Sequence, residues 1–151
     1  MTATSSRTST VATSPEAVWE VLADFGALAR WVPEVDHSCL LRSGPAGVGT
    51  TRRVQVGRTT VLEAITAWSP PEHLGYAITG LPPALQTVRN DWRLRPVADG
   101  TEVTVTTSVD AGPRPPQRLV AHLVARRLST TSGQMLAGLT ATLTSGDHAR
   151  A

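Results

Sequence analysis

The sequence predicts one α+β domain in which a curved antiparallel sheet closes on a single long C-terminal helix. Three observations predict it. Two short helical pieces sit between a first strand and the rest of the β region. From Val35 to Val109 apolar and polar residues alternate, broken only by Gly, Pro and Asp-Gly punctuation. Gln117 to about Leu143 then reads as one long amphipathic helix. A helix that follows a one-sided apolar sheet has one economical place to bury its own apolar side, the concave face.

Each element has its local reason. The first ten residues are Ser/Thr-rich, and "STVAT" reads as a short strand. The ordered core is expected to span about 8–143, with frayed tails at 1–7 and 144–151. Ser14 caps a helix with Pro15 at its first position and Glu16 in its first turn, where the helix dipole favours an acid. Val18, Val21, Leu22 and Phe25 give that helix an apolar stripe. Gly26 is expected to end it, and "ALARW" to make a second short helix that Pro33 stops. "GPRPP" closes the β region. In the long helix, Leu119, Val120, Leu123, Val124, Leu128, Met135, Leu136 and Leu139 are the expected buried side.

Composition narrows the function. The chain has 151 residues, 40% hydrophobic and 17% charged, the profile of one globular domain with one core. No apolar run approaches the roughly 18 residues of a spanning helix, and the N-terminus lacks the apolar stretch of a secretory signal. A cytoplasmic protein without stable membrane insertion is expected. All 14 basic residues are Arg, the net charge is only +2, and no basic run exceeds two residues. Nucleic-acid binding needs a clustered positive footprint, so it is not expected. One Cys and four scattered His give no disulfide and no metal-ligand cluster, and no metal or cofactor is expected.

Two hairpins give the inner face. In "VQVGRTTV", Gly57-Arg58 is a two-residue turn signal. It sets Val56 opposite Thr59, Val54 opposite Val61, Arg52 opposite Glu63 and Thr50 opposite Ile65. Val54, Val56, Val61 and Ile65 then line the concave side, while Arg53, Gln55 and Thr60 face solvent. Arg52 and Glu63 therefore meet on the apolar face. Buried ion pairs are close to break-even for stability, because desolvation offsets attraction. A pair inside that wall is either a structural pair near the mouth or a ligand contact.

In "RLRPVADGTEVTV", Asp99-Gly100 suggests a type I′ turn, with Leu94 opposite Val105, Trp92 opposite Thr107 and Asn90 opposite Val109. The inner face would carry Leu94, Val103, Val105, Trp92, Val109 and the polar Asn90, which meets either a ligand or a backbone group. Leu74, Tyr76 and Ile78 share one face of their strand, with the Tyr76 hydroxyl a candidate ligand contact. On the long helix, Ser129, Thr130, Thr131, Ser132 and Gly133 form an unusually small-residue stretch. It either leaves room for a ligand beside the adaptable Met135 or marks a weak point on a solvent face.

The segments "SPEAVWEVLADFGALARWVPEV", "GVGTTRRVQVG", "LEAITAWSPPEHLGYAI" and "DGTEVTVTTSVD", followed by a terminal helix, resemble the START/Bet v1-like (SRPBCC) superfamily, in its polyketide cyclase/dehydrase-like branch. The resemblance covers about Thr8 to Leu139. It implies a helix-grip fold, seven strands around the C-terminal helix with a ligand cavity between them. Relatives that cyclise polyketides use polar cavity residues, and many others only bind or carry apolar ligands.

Two functions follow as expectations. The first is binding or carrying a small hydrophobic molecule (lipid, sterol-like or polyketide) by Arg52, Val54, Glu63, Tyr76, Asn90, Trp92 and Met135, as monomer or homodimer. The second is a polyketide aromatase/cyclase-type enzyme with Arg52, Glu63 and Tyr76 as catalytic candidates, an Arg polarising a carbonyl while a carboxylate or phenol moves a proton. A third, an interaction protein with a cavity-free version of the fold, would be favoured by the absence of any cavity above roughly a few hundred Å³. His37 and Cys39, two apart on one strand, line the pocket if Leu41 faces in and face solvent if Leu40 does.

Overall fold

The computed structural model describes residues 2–42, 44–81, 87–110 and 115–149. In chain order the elements are β1 (Thr2–Val11), α1 (Pro15–Ala23), a 3-10 turn (Phe25–Arg30), β2 (His37–Leu40), β3 (Thr51–Val56), β4 (Thr59–Ser69), β5 (His73–Thr79), β6 (Thr87–Val97), β7 (Gly100–Asp110) and α2 (Pro115–Ala149). The strands form one antiparallel sheet in the order β1-β7-β6-β5-β4-β3-β2. A register shift between Ile65 and Ala67 interrupts the β4–β5 ladder, an irregularity of the kind that bends a strand. The helix-grip architecture is the observed one.

The lead of the chain departs from expectation. Residues 2–7 are strand rather than frayed tail, in unbroken register from Thr2 opposite Asp110 to Val11 opposite Thr101. The hydroxyls that made this stretch look loop-like pair across the ladder instead, Ser6 with Thr106 at 2.9 Å and Thr8 with Thr104 at 3.0 Å. α2 likewise runs further than expected at both ends.

Ser14 caps α1, accepting the Ala17 amide at 3.3 Å, with Pro15 at the first position. The helix ends at Ala23, before Gly26, which lies inside the 3-10 turn. A Cβ on Gly26 would stand 2.9 Å from the Leu40 side chain, so glycine serves the packing of the turn on β2 rather than helix termination. Ser38 fixes the same junction by accepting from the Ala29 amide at 2.9 Å and donating to the Gly26 carbonyl at 2.8 Å.

The first hairpin has the expected register, Arg52 opposite Glu63 and Val54 opposite Val61. The second is shifted by two residues. Its turn is Ala98-Asp99, Val97 pairs with Gly100, Trp92 with Val105 and Asn90 with Thr107. Gly100 has φ +143°, and a Cβ there would run into the Val11 carbonyl. The glycine is therefore needed as the first strand residue, against the end of β1, and not as a turn residue. A shift of two preserves facing, so the inner and outer sets stand.

The main core holds Val18, Trp19, Leu22, Phe25, Leu28, Trp31, Trp92, Val103, Val105 and the α2 residues Met135, Leu136 and Leu139. Edge-on aromatic pairs join α1, the turn and the sheet: Trp19–Trp68, Phe25–Tyr76 and Trp31–Trp92, with centroids 5.0, 5.4 and 6.1 Å apart. Gly138 lets α2 approach the Trp31 carbonyl so closely that a side chain there would collide with it. A second cluster of Ala3, Val88 and Val109, flanked by Ile78, Leu81 and Val124, receives the N-terminal half of α2. Leu119 and Leu123, expected to be buried, are 62% and 55% exposed; Val124 supplies the contact their part of the helix makes. The side chains of Val120 and Leu128 lie outside the described residues. Val56, at the turn end of its hairpin, is exposed as well.

Candidate functional site

Alternation along β3 and β4 sends Arg52 and Glu63 to the concave face, and the structure buries both, with side chains 4% and 9% exposed. Arg52 Nε and Nη2 each lie 2.7 Å from Glu63 Oε1. Nη1 donates to the Phe25 carbonyl at 3.0 Å, which ties the 3-10 turn to the sheet. The guanidinium carbon stands 3.8 Å from the centre of the Phe25 ring and 4.8 Å from that of Tyr76, a cation–π arrangement out of water. The pair is thus fully inside the wall and holds local structure together.

Beside it runs a second polar chain. The Tyr76 hydroxyl accepts from Asn90 Nδ2 at 3.2 Å and from Trp92 Nε1 at 3.3 Å. Thr107 Oγ1 donates to Asn90 Oδ1 at 2.7 Å and lies 3.2 Å from Ser132 Oγ on α2. Asn90 sits between Val88 and Trp92 on β6, and Thr107 between Val105 and Val109 on β7. The chain therefore marks the border between the two apolar clusters. Burial raises the Tyr76 pKa first, and the Glu63 charge raises it further; Arg52 and the hydrogen bonds from Trp92 and Asn90 oppose this only in part. Burial therefore favours the neutral phenol.

Arg52, Tyr76, Trp92 and Met135, with Leu22, Trp31 and Leu74, border a narrow gap in which no water-sized sphere finds room. Glu63 and Asn90 reach this gap through their partners Arg52 and Tyr76, and Val54 lies buried in the same core. The open concavities are elsewhere: about 610 Å³ at the β2–β3 loop and about 510 Å³ on the convex face. Neither touches the inner polar residues.

His37 and Cys39 face outward, opposite Gln55 and Arg53, and Cys39 is exposed; Leu40 is the inward residue. Among the described side chains in the small-residue stretch of α2, only Ser132 is buried toward the sheet, while Thr130 and Thr131 are exposed and lie near the Arg126 and Arg127 carbonyls at 3.5 and 3.4 Å. The Ser129 side chain lies outside the described residues. Thr107 and Ser132 join the site although sequence reasoning did not name them as site residues. Thr107 carried a signal, as the polar member of the inner row Val103, Val105, Thr107, Val109. Phe25, whose ring and carbonyl both hold Arg52, carried none beyond its apolar character.

A seven-stranded antiparallel sheet packed on one long C-terminal helix, with these side chains between them, is a helix-grip protein. The chain belongs to the polyketide cyclase/dehydrase and lipid transport family, whose profile matches residues 2–144. Curated proteins give no sequence match. Among solved structures, the Zhui aromatase/cyclase from Streptomyces sp. R1128 is similar over 95% of this chain and 94% of its own, at 18% identity and a TM-score of 0.78. A START superfamily protein from Mycobacterium smegmatis is similar over 94% and 97%, at 17% identity and a TM-score of 0.71. The di-domain ARO/CYC StfQ from the steffimycin biosynthetic pathway is similar over 98% of this chain and 52% of its own, at 16% identity and a TM-score of 0.81. These likenesses are likenesses of fold. Among the described residues no helix is long and apolar enough to cross a membrane.

Proposed function

We propose that this protein binds or carries a small hydrophobic molecule, of lipid, sterol-like or polyketide type, between the inner face of the sheet and α2. One observation carries the reading: a buried, hydrogen-bonded set of polar side chains adjoins a narrow gap in the apolar core. Ligand pockets have this composition, a mostly apolar lining with a few convergent polar groups. The described residues leave no open cavity between sheet and helix, an outcome on the side of the interaction-protein reading, so a ligand here must displace side chains to enter. Met135, unbranched and polarisable, is the lining residue best suited to give way. Arg52, Val54, Glu63, Tyr76, Asn90, Trp92 and Met135 form the proposed contact set. The same reading has the protein working in the cytoplasm, as monomer or homodimer, with no metal, cofactor or nucleic acid taking part.

The test is titration with the neutral apolar fluorophore N-phenyl-1-naphthylamine, beside native mass spectrometry of the protein from its own host. Saturable emission, reduced by Met135→Trp, and a co-purifying apolar compound are expected. Absence of any saturable binding would overturn the reading and favour an interaction protein built on a cavity-free version of the fold.

A second reading, a polyketide cyclase-type enzyme, is favoured by one observation, the neutral buried phenol of Tyr76 under the influence of Glu63. Arg52→Ala and Glu63→Gln variants that keep probe binding but lose conversion of a poly-β-ketone would support it. Conversion at the wild-type rate by both would refute it.

A further inference from the structure

The direction of each hydrogen bond around Tyr76 carries information about the ligand. The indole Nε1–H of Trp92 is only a donor, so at 3.3 Å it occupies one lone pair of the phenol oxygen. The Asn90 amide occupies the other. Its orientation follows from lengths: 2.7 Å from Thr107 Oγ1 to Asn90 Oδ1 suits an O–H···O bond, and 3.2 Å from Asn90 Nδ2 to the Tyr76 oxygen suits N–H···O. The reversed amide would give a long O–H···O and a short N–H···O. The phenol oxygen therefore accepts twice, and its own proton has no acceptor among the described residues. A buried donor without an acceptor is costly, and Tyr76 borders the gap.

The neighbouring charges narrow the choice further. Arg52 gives one N–H each from Nε, Nη1 and Nη2 to Glu63 and the Phe25 carbonyl, and Glu63 balances its charge. Among the described residues no uncompensated cation borders the gap, and a second carboxylate would meet the Glu63 charge in a dry environment.

We infer that the ligand presents a neutral acceptor oxygen, that of a ketone or ester carbonyl, to the Tyr76 hydroxyl, which selects it over a hydrocarbon or a carboxylate of the same shape. This inference rests on the binding reading above.

Three shape-matched probes test it: 2-acetylnaphthalene, 2-isopropylnaphthalene and 2-naphthoate, titrated by tryptophan fluorescence. The ketone is expected to bind about tenfold tighter than the hydrocarbon, the yield of one net hydrogen bond, with the carboxylate weakest. Tyr76→Phe removes the ketone's advantage. Since that variant orphans the Trp92 and Asn90 donors, a second measurement uses the wild type alone. The carbonyl stretch of bound, isotope-labelled 2-acetylnaphthalene should move to lower frequency than in an alkane. Equal affinity for ketone and hydrocarbon, an unchanged preference in Tyr76→Phe, or an alkane-like stretch overturns the inference and leaves the binding reading standing. Failure of all three probes to bind overturns that reading, and the inference with it.

Discussion

Two Arg–Glu pairs lie directly opposite each other on antiparallel hairpins of this sheet, one on each face. Arg52 meets Glu63 on the concave side, and Arg95 meets Glu102 on the convex side. Their distances are close, 2.7 Å against 3.0 Å. Their surroundings are not. The inner side chains are 4% and 9% exposed, the outer ones 69% and 33%. Arg52 also carries the Phe25 carbonyl and two aromatic rings. The outer pair has more hydrogen bonds to its carboxylate and less consequence. Distance does not rank charged pairs; the solvent that each has lost does.

The largest effect expected from breaking this contrast is Arg52→Ala, which leaves the Glu63 carboxylate buried and alone. A loss of about 3–5 kcal/mol in urea unfolding is expected. The sharper variant removes both charges. Arg52→Met with Glu63→Leu should recover most of that stability, since well-packed apolar replacements of buried pairs are near neutral. Recovery of the fold with loss of ketone preference would assign the pair to ligand recognition. A double variant as unstable as the single one would make it purely structural.

Next in size is Thr107→Val. It deprives Asn90 Oδ1 of its short hydrogen bond and Ser132 of its partner in the sheet. The same shape without the hydroxyl should cost about 1–3 kcal/mol, read as a lowered midpoint of thermal unfolding. An unaltered midpoint would mean that water replaces the hydroxyl and that this end of the core is wetter than its burial implies.

Tyr76 adds a pH dependence, and it is the chain's only tyrosine. Its folded pKa is raised above the ordinary value near 10.0, chiefly by burial. The folded state thus holds the phenolic proton more tightly than the unfolded state. The stability that this contributes is complete below the unfolded value and is lost as pH rises through the folded one. Absorbance at 295 nm should show no phenolate until well above pH 10, rising only as the protein unfolds. A free titration at the ordinary value would contradict the burial.

How much of this was legible beforehand depends on range. The Arg52–Glu63 pairing followed from Gly57-Arg58 and strict alternation, both local, and the structure has it in that register. Asn90 and Trp92 were placed on the correct face for the same reason, although their partners were two residues off. The cause was Gly100, which looks like a turn glycine but is required by the end of β1, far away in sequence. Residues 2–7 look like a frayed tail by composition, and only the matching row on β7, with hydroxyl pairs such as Ser6–Thr106, makes them a strand. Leu119 and Leu123 fit a helical stripe whose direction depends on where α2 meets the sheet. Room beside Met135 was one of two readings of the small-residue stretch, but its size was not legible, because a void is set by the fit of distant side chains rather than by any one segment.

The smallest expected effect belongs to the outer pair and completes the contrast. Arg95→Ala or Glu102→Ala should each change stability by less than about 1 kcal/mol, because water already solvates both groups and ordering two long side chains offsets much of the attraction. At about 1 M salt, where the screening length falls to about 3 Å, even that difference should vanish. The inner pair should behave otherwise, its contribution surviving the same salt because no ions reach it. Urea unfolding of wild type, Arg95→Ala and Arg52→Ala at low and high salt therefore separates the two. If both pairs weaken in parallel with salt, the inner face is open to solvent, and the dry site on which the ligand reading depends does not exist.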